Sequence, residues 1–184
     1  MNKTFKVIRN RRSIRNFMDE QIKKEELDAI LEAGLYAPSG MNSQDWHFTV
    51  IQNRKMIDIV NEWILLEVKK INDSRLNDAV AQGKFFRNAP TVIIVSSDSK
   101  DPFGIVNAAA ATENIMLAAE SLGMGSCWIG FARYLSTSEC FSEYAKQLHI
   151  PNGYAISNGI TLGYKATETP PAPERKKDLV SYIL

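Results

Sequence analysis

Arg9, Arg11, Arg12, Ser13 and Arg15 place four guanidiniums and a hydroxyl within seven residues near the N-terminus. Arginine offers forked donors to two oxygens at once, and a serine beside it adds a short-range donor, a combination suited to a phosphomonoester. The same run also reads as a solvated basic face. A second cluster lies in 37-APSGMNSQDWHF-48, where Pro38, Ser39 and Gly40 break a helix and Asn42, Gln44 and Trp46 follow at every second position. On an extended stretch this alternation puts two amides on one side, a match for a heteroaromatic edge of alternating carbonyl and N–H groups. Ordinary turn chemistry, with Asn and Gln capping backbone, is the other reading. The third cluster is 122-LGMGSCWIG-130, whose glycines permit close backbone approach to a flat ligand and whose Trp128 could pack beneath it. Its G-x-G-x-x-x-x-G spacing follows a helix, where the dinucleotide fingerprint needs a preceding strand, and helix capping by glycine accounts for it equally.

Other chemistry is absent from the sequence. It contains no G-x-x-x-x-G-K, no G-x-S-x-G and no H-E-x-x-H, and its imidazoles are His47 and His149 alone. Neither histidine has a cysteine, carboxylate or second imidazole at metal spacing, so both are expected to be structural and no metal site is expected. Cys127 and Cys140 suggest neither a disulfide framework nor a zinc site, and Cys127 reads as a small buried strand residue. Twenty-two Lys and Arg against 21 Asp and Glu leave a formal charge of +1, which favours neither nucleic acid nor an anionic membrane as partner. Any catalysis therefore rests on a bound cofactor. The N-terminal segment lacks the unbroken apolar stretch of a signal peptide, and the expectation is a soluble, unprocessed, cytoplasmic protein.

The elements that must position these clusters follow from periodicity. With 184 residues, 45% of them apolar, the chain reads as one domain, 1–184. Leu27, Ile30, Leu31, Gly34 and Leu35 share one face of a helix over Lys23 to Tyr36, closed by Pro38. Trp46 to Ile51 and Pro90 to Ser96 read as strands, the second buried, with a helix from Asn53 to Ile71 between them. Ile105 to Leu122 is apolar on most faces and must be buried nearly all round, which is easiest if a second subunit covers one side. Cys127 to Phe131 reads as a short strand, Ser136 to Leu148 as a surface helix and Tyr154 to Tyr164 as a last strand. Alternating helices and short strands indicate an α+β or mixed layered fold. The tail from Lys165 is Pro-rich and then apolar at Leu179, Val180, Tyr182 and Ile183, so it is expected to cross to a neighbouring subunit.

Taken in order, RRSIR, APSGMNSQDW, the A-x-x-E-N-I-x-L-A-A helix, G-x-G-x-x-W-I-G, ITLGY and the basic Pro-rich tail resemble the FMN-dependent nitroreductase family, from Arg11 to Tyr182. The resemblance implies an α+β nitroreductase-like fold: a central mixed or antiparallel sheet flanked by helices, in an intertwined homodimer with FMN at the interface. It makes 1–184 a single FMN-binding domain whose residues 165–184 pack on the partner. By the same resemblance Arg11, Arg12 and Ser13 hold the phosphate. Arg15 stands beside flavin N1 and O2, where a fixed cation stabilises the negative charge of the reduced ring. Pro38, Ser39, Gly40 and Asn42 come from the other subunit, with Gln44 as a second amide of that segment. The Ile129–Gly130 backbone lies against the ring near N5. Arg175 is a late phosphate ligand, with Lys176 or Lys177 as substitutes. The implied reaction is ping-pong hydride transfer from NADH or NADPH to a small conjugated acceptor such as a nitroaromatic or quinone, with no protein acid or base. The rivals are a flavin-fragmenting or dehalogenating relative and a non-catalytic FMN-binding module. Two departures stand out: Asp45 replaces the family's proline in 42-NSQDW-46, and Glu67 to Lys84 is unlike the family, so specificity residues there do not carry over.

Overall fold

The computed structural model describes residues 2–71 and 73–184. Helices α1 (Lys3–Asn10) and α2 (Lys24–Leu35) precede strand β1 (Trp46–Ile51), helix α3 (Arg54–Ile71) and a short α4 (Asn77–Gln82). Strand β2 (Thr91–Asp98), helix α5 (Gly104–Ser121), strand β3 (Gly125–Ile129), helix α6 (Phe141–Gln147) and strand β4 (Tyr154–Gly163) follow. The four strands pair antiparallel in the order β1-β2-β4-β3. A parallel bridge between Ser13 and Ser126 extends the free edge of β3, and Ile14 N donates to Ser126 O at 2.9 Å. The layered α+β architecture expected from the sequence is therefore the one observed.

Val92, Ile93, Ile94 and Val95 of β2 are all fully buried because the sheet is covered on both faces. The two-residue period sends Val92 and Ile94 towards α3 and α6, and Ile93 and Val95 towards α2 and α5. In β4 a register shift opposite Val95 and Ser96 leaves Ser157 as the extra residue. Ile156 thereby faces the α3 layer, while Ile160 and Leu162 face the α5 layer. Between α2 and α5 the approach is so close that a Cβ on Gly34 would stand 2.8 Å from Ile115 Cγ1. Only glycine lets those helices meet at that point.

Two sequence expectations need correction. Ser136 to Leu148 is not one helix: a 3-10 stretch covers Gly130–Thr137, and α6 begins only at Phe141. The break is at Ser138, whose hydroxyl donates to Glu67 Oε1 at 2.7 Å and accepts from Cys140 N at 3.1 Å, an arrangement that competes with helical bonding. The strand expected over Cys127 to Phe131 starts earlier and stops at Ile129, where pairing with Gly159 ends and the 3-10 stretch takes over. The segment after α3 is largely helical, with a 3-10 turn at Ser74–Leu76 leading into α4. Helix α5 buries Ala108, Ala111, Ile115, Met116 and Ala119 but leaves Ile105 67% and Val106 63% exposed, on the side for which the sequence calls for a second subunit. The protomer alone does not wrap this helix. Residues 166–184 carry no helix or strand and are exposed throughout, including Leu179, Val180, Tyr182, Ile183 and Leu184. Among the described residues no helix is long and apolar enough to cross a membrane.

Candidate functional site

The arginine block is held in place by its backbone. Asn2 caps α1 by accepting from Phe5 N at 3.0 Å, Arg11 closes the helix, and the extended chain then docks on β3 through Ile14. Ile14 is buried against Gly125, where a Cβ would lie 2.7 Å from Ile14 Cγ2, so the neighbouring Arg15 points outwards. Arg15 makes one weak contact, from Nη1 to Ser13 O at 3.3 Å. Arg11 Nε pairs with Glu113 Oε1 of α5 at 3.2 Å. Arg12 folds back, giving Nη1 to the carbonyls of Arg9 and Arg11 at 2.8 and 2.6 Å, while its Nε is buried with no partner. A buried donor without an acceptor costs about 1–3 kcal/mol, so this nitrogen marks a place for an incoming oxygen.

Arg15 borders a cavity of about 130 Å³ together with Trp128, Ile129 and Gly130. Alternation along β3 buries Cys127 and Ile129 and turns Trp128 outwards, 39% exposed. A Cβ on Gly130 would meet nothing closer than the indole nitrogen at 3.9 Å, so the backbone there faces open space. The opposite wall brings in Gln82, Lys84 and Arg87, none of which the sequence reading singled out. Their loop is fixed by Asn61 of α3, which donates to Gly83 O at 2.6 Å and accepts from Phe85 N at 2.9 Å. Arg87 itself has φ 53° and donates to Gln82 Oε1 at 2.9 Å. Lys84 and Arg87 flank two phenylalanines just before β2, and that pairing of cations at a strand entrance was the only sequence signal available.

The Pro38–Gln44 segment is a closed turn: of the two geometries the sequence left open for its amides, the turn is observed and the extended stretch is not. Gly40–Asn42 form a 3-10 turn, and Met41, Asn42 and Gln44 have φ of 53°, 55° and 46°. Gln44 Nε2 donates to Asn42 Oδ1 at 3.1 Å and Gln44 N to Ser39 Oγ at 3.1 Å, so the two amides face each other. Trp46 goes inward, packed with Ala37 and Ala111. The turn is anchored to Asn107 of α5 and the arginine block to Glu113, six residues along the same helix and so about 9 Å apart in rise. Within one chain the turn does not border the Arg15 cavity. Arg175, Lys176 and Lys177 border only a concavity of the tail itself. His47, next to the turn in β1, has its Nδ1 buried without a partner, and burial pushes its imidazole below the ordinary value of 6.5.

The donor set fits a flavin phosphate and ring: an unpartnered buried guanidinium nitrogen, three cations around one cavity and an open backbone edge. Comparisons with known proteins agree. The profile of the nitroreductase family matches residues 8–164. An Archaeoglobus fulgidus protein named NADH dehydrogenase/NAD(P)H nitroreductase is 34% identical over 91% of this chain and 88% of its own length. The crystal structure of a nitroreductase with bound FMN from Bacteroides fragilis superposes with a TM-score of 0.90 at 33% identity, covering 100% of both chains. The iodotyrosine deiodinase of Thermotoga neapolitana is more distant, 25% identical over 99% of this chain and 98% of its own.

Proposed function

The chain belongs to the nitroreductase family, and on that premise we propose that this FMN-dependent NAD(P)H oxidoreductase works as a homodimer, by a ping-pong cycle, on small conjugated acceptors such as nitroaromatics and quinones. The observation that carries the reading is the convergence of Arg15, Lys84 and Arg87 on the cavity where the Ile129–Gly130 backbone is open. When bound there, FMN supplies a two-electron carrier that accepts hydride from NAD(P)H and yields it to the acceptor.

The protein's own part is binding, orientation and charge. Arg12 Nε and the Ser13 hydroxyl take phosphate oxygens, with Arg11 held alongside by Glu113 and a tail cation from Arg175 or Lys176 completing the set. Arg15 would hold positive charge beside a flavin ring bound in this cavity, favouring its reduced, more negative form, and Lys84 and Arg87 would add to that field. Trp128 and the bare Gly130 backbone offer a flat wall. No side chain is required to donate or abstract a proton at the reacting carbon.

Size supports the dimer. A cavity of about 130 Å³ is well below the ~300–1,000 Å³ that sites for ligands of this size enclose. A second copy closes the site by placing its Pro38, Ser39, Gly40, Asn42 and Gln44 over the Arg15 half. The uncovered Ile105 and Val106 of α5 and the apolar tail end supply the contact surface. The groove between α1, α2 and α5, bordered by Val7, Ile8 and Leu117, is a seat of about 360 Å³ for the partner's tail.

The purified protein is expected to be yellow, to carry one FMN per chain, to elute as a dimer and to bleach anaerobically with NADH or NADPH. Reoxidation by nitrobenzene, menadione and an iodophenol, compared in turn, ranks the acceptor class. A colourless protein that takes up no FMN would overturn the reading, and bound FMN that resists NAD(P)H would reduce it to a binding module.

A further inference from the structure

The aspartate that departs from the family pattern sits at the centre of a buried hydrogen-bond chain. Asp45 is 7% exposed and Asn107 4%. Asp45 Oδ1 accepts from Asn107 Nδ2 at 2.8 Å and from Ser43 Oγ at 3.2 Å. Asn107 Oδ1 in turn accepts from Gly40 N at 3.0 Å. The second carboxylate oxygen, Oδ2, is buried with no partner and lies against the first residue of α5. A Cβ on Gly104 would stand 2.9 Å from it and 2.6 Å from Asp98 O. The carboxylate thus occupies the positive end of an 18-residue helix, the end that favours an anion.

This arrangement acts on the turn, not on the Arg15 cavity. Three residues of the turn, Met41, Asn42 and Gln44, hold left-handed backbone without being glycine, a conformation that persists only where the surroundings over-determine it. The anionic Asp45 polarises the Asn107 amide, which strengthens its grip on the Gly40 N–H. We propose that Asp45 and Asn107 are positioning residues that hold the Pro38–Gln44 turn in the shape that receives FMN, so that cofactor affinity at the turn depends on a buried negative charge. The inference rests on the functional reading above, in which the turn closes the site.

The test is FMN release from the holoprotein, followed by flavin fluorescence on dilution, alongside thermal melts of the same variants. Asn107→Ala, which removes the amide that joins the carboxylate to the Gly40 N–H, is expected to weaken FMN binding about tenfold. Asp45→Asn keeps the shape but not the charge and is expected to weaken it about threefold; it carries the test even if Asn107→Ala fails to fold. The double variant should lose less than the sum of the two single losses, because the charge acts in large part through that amide. Variants that melt earlier yet keep wild-type FMN affinity, or losses that simply add, would overturn the proposal while leaving the functional reading intact. A wild-type protein that binds no FMN would overturn both.

Discussion

The two halves of the proposed site are built in opposite ways. At the arginine block the backbone is tied down, by the α1 cap and the Ile14 bridge to β3, and the side chains of Arg15 and Arg12 are left with donors to give. At the Pro38–Gln44 turn the side chains are consumed, Gln44 on Asn42, Ser39 on Gln44 N and Asn107 on Gly40, and what remains is a shaped backbone. One half contributes charge and the other contributes form. They hang from the same helix about 9 Å apart in rise, and a single chain does not bring them to one cavity. A two-fold arrangement that sets the turn of one copy over the arginines of the other gives two complete sites from two incomplete ones.

The sharpest way to break this contrast is at Arg15. Arg15→Ala is expected to slow hydride transfer from NAD(P)H about a hundredfold in stopped-flow bleaching, with a much smaller change in thermal stability, because the side chain is exposed and makes one weak hydrogen bond, to Ser13 O. Arg87→Ala and Lys84→Ala touch the same cavity from the other wall and should each slow the same step by about three- to tenfold; equal losses at all three positions would mean a diffuse field with no special role for Arg15. The smallest effect separates the halves by pH. The imidazole of His47, beside the turn, is depressed in the folded chain by burial, so folding favours the neutral form. Stability contributed by His47 is therefore present above the unfolded value of 6.5 and is lost as pH falls below it towards the folded value. Melts of the wild type should decline between pH 7 and 5.5, and His47→Gln should flatten that slope.

Legibility in the sequence followed the same division. Strand β2 was readable because an unbroken Val/Ile run between breakers leaves little else to do, and β1 because bulk and branching cluster over six residues. Arg15 was readable because an exposed arginine in a dense basic block announces itself by type. Lys84 and Arg87 were not, since their place in the site depends on Asn61 bonding to Gly83 and Phe85, across 22 and 24 residues. The turn amides were left between a strand and a turn for a different reason. Spacing of two suggests a strand, and left-handed backbone at Met41 and Gln44 has no signature when the residue is not glycine; a buried Asp45–Asn107 contact 62 residues apart underlies it. Helix α5 was read as needing a second subunit on one side, and Ile105 and Val106 are the residues that one chain leaves uncovered.

Subunit mixing tests the composite site most directly. Arg15→Glu, which spoils the charged half, and Gly40→Leu, whose Cβ would press on Phe103 at 3.0 Å in the shaped half, should each give a homodimer with little NAD(P)H-dependent flavin bleaching. Co-expressed in equal amounts, the two chains should regain roughly a quarter of wild-type activity, because half of the dimers are mixed and each mixed dimer pairs one intact charged half with one intact turn. Recovery at that level is the predicted result. No recovery above either homodimer would contradict the account, placing both halves of each site on one chain.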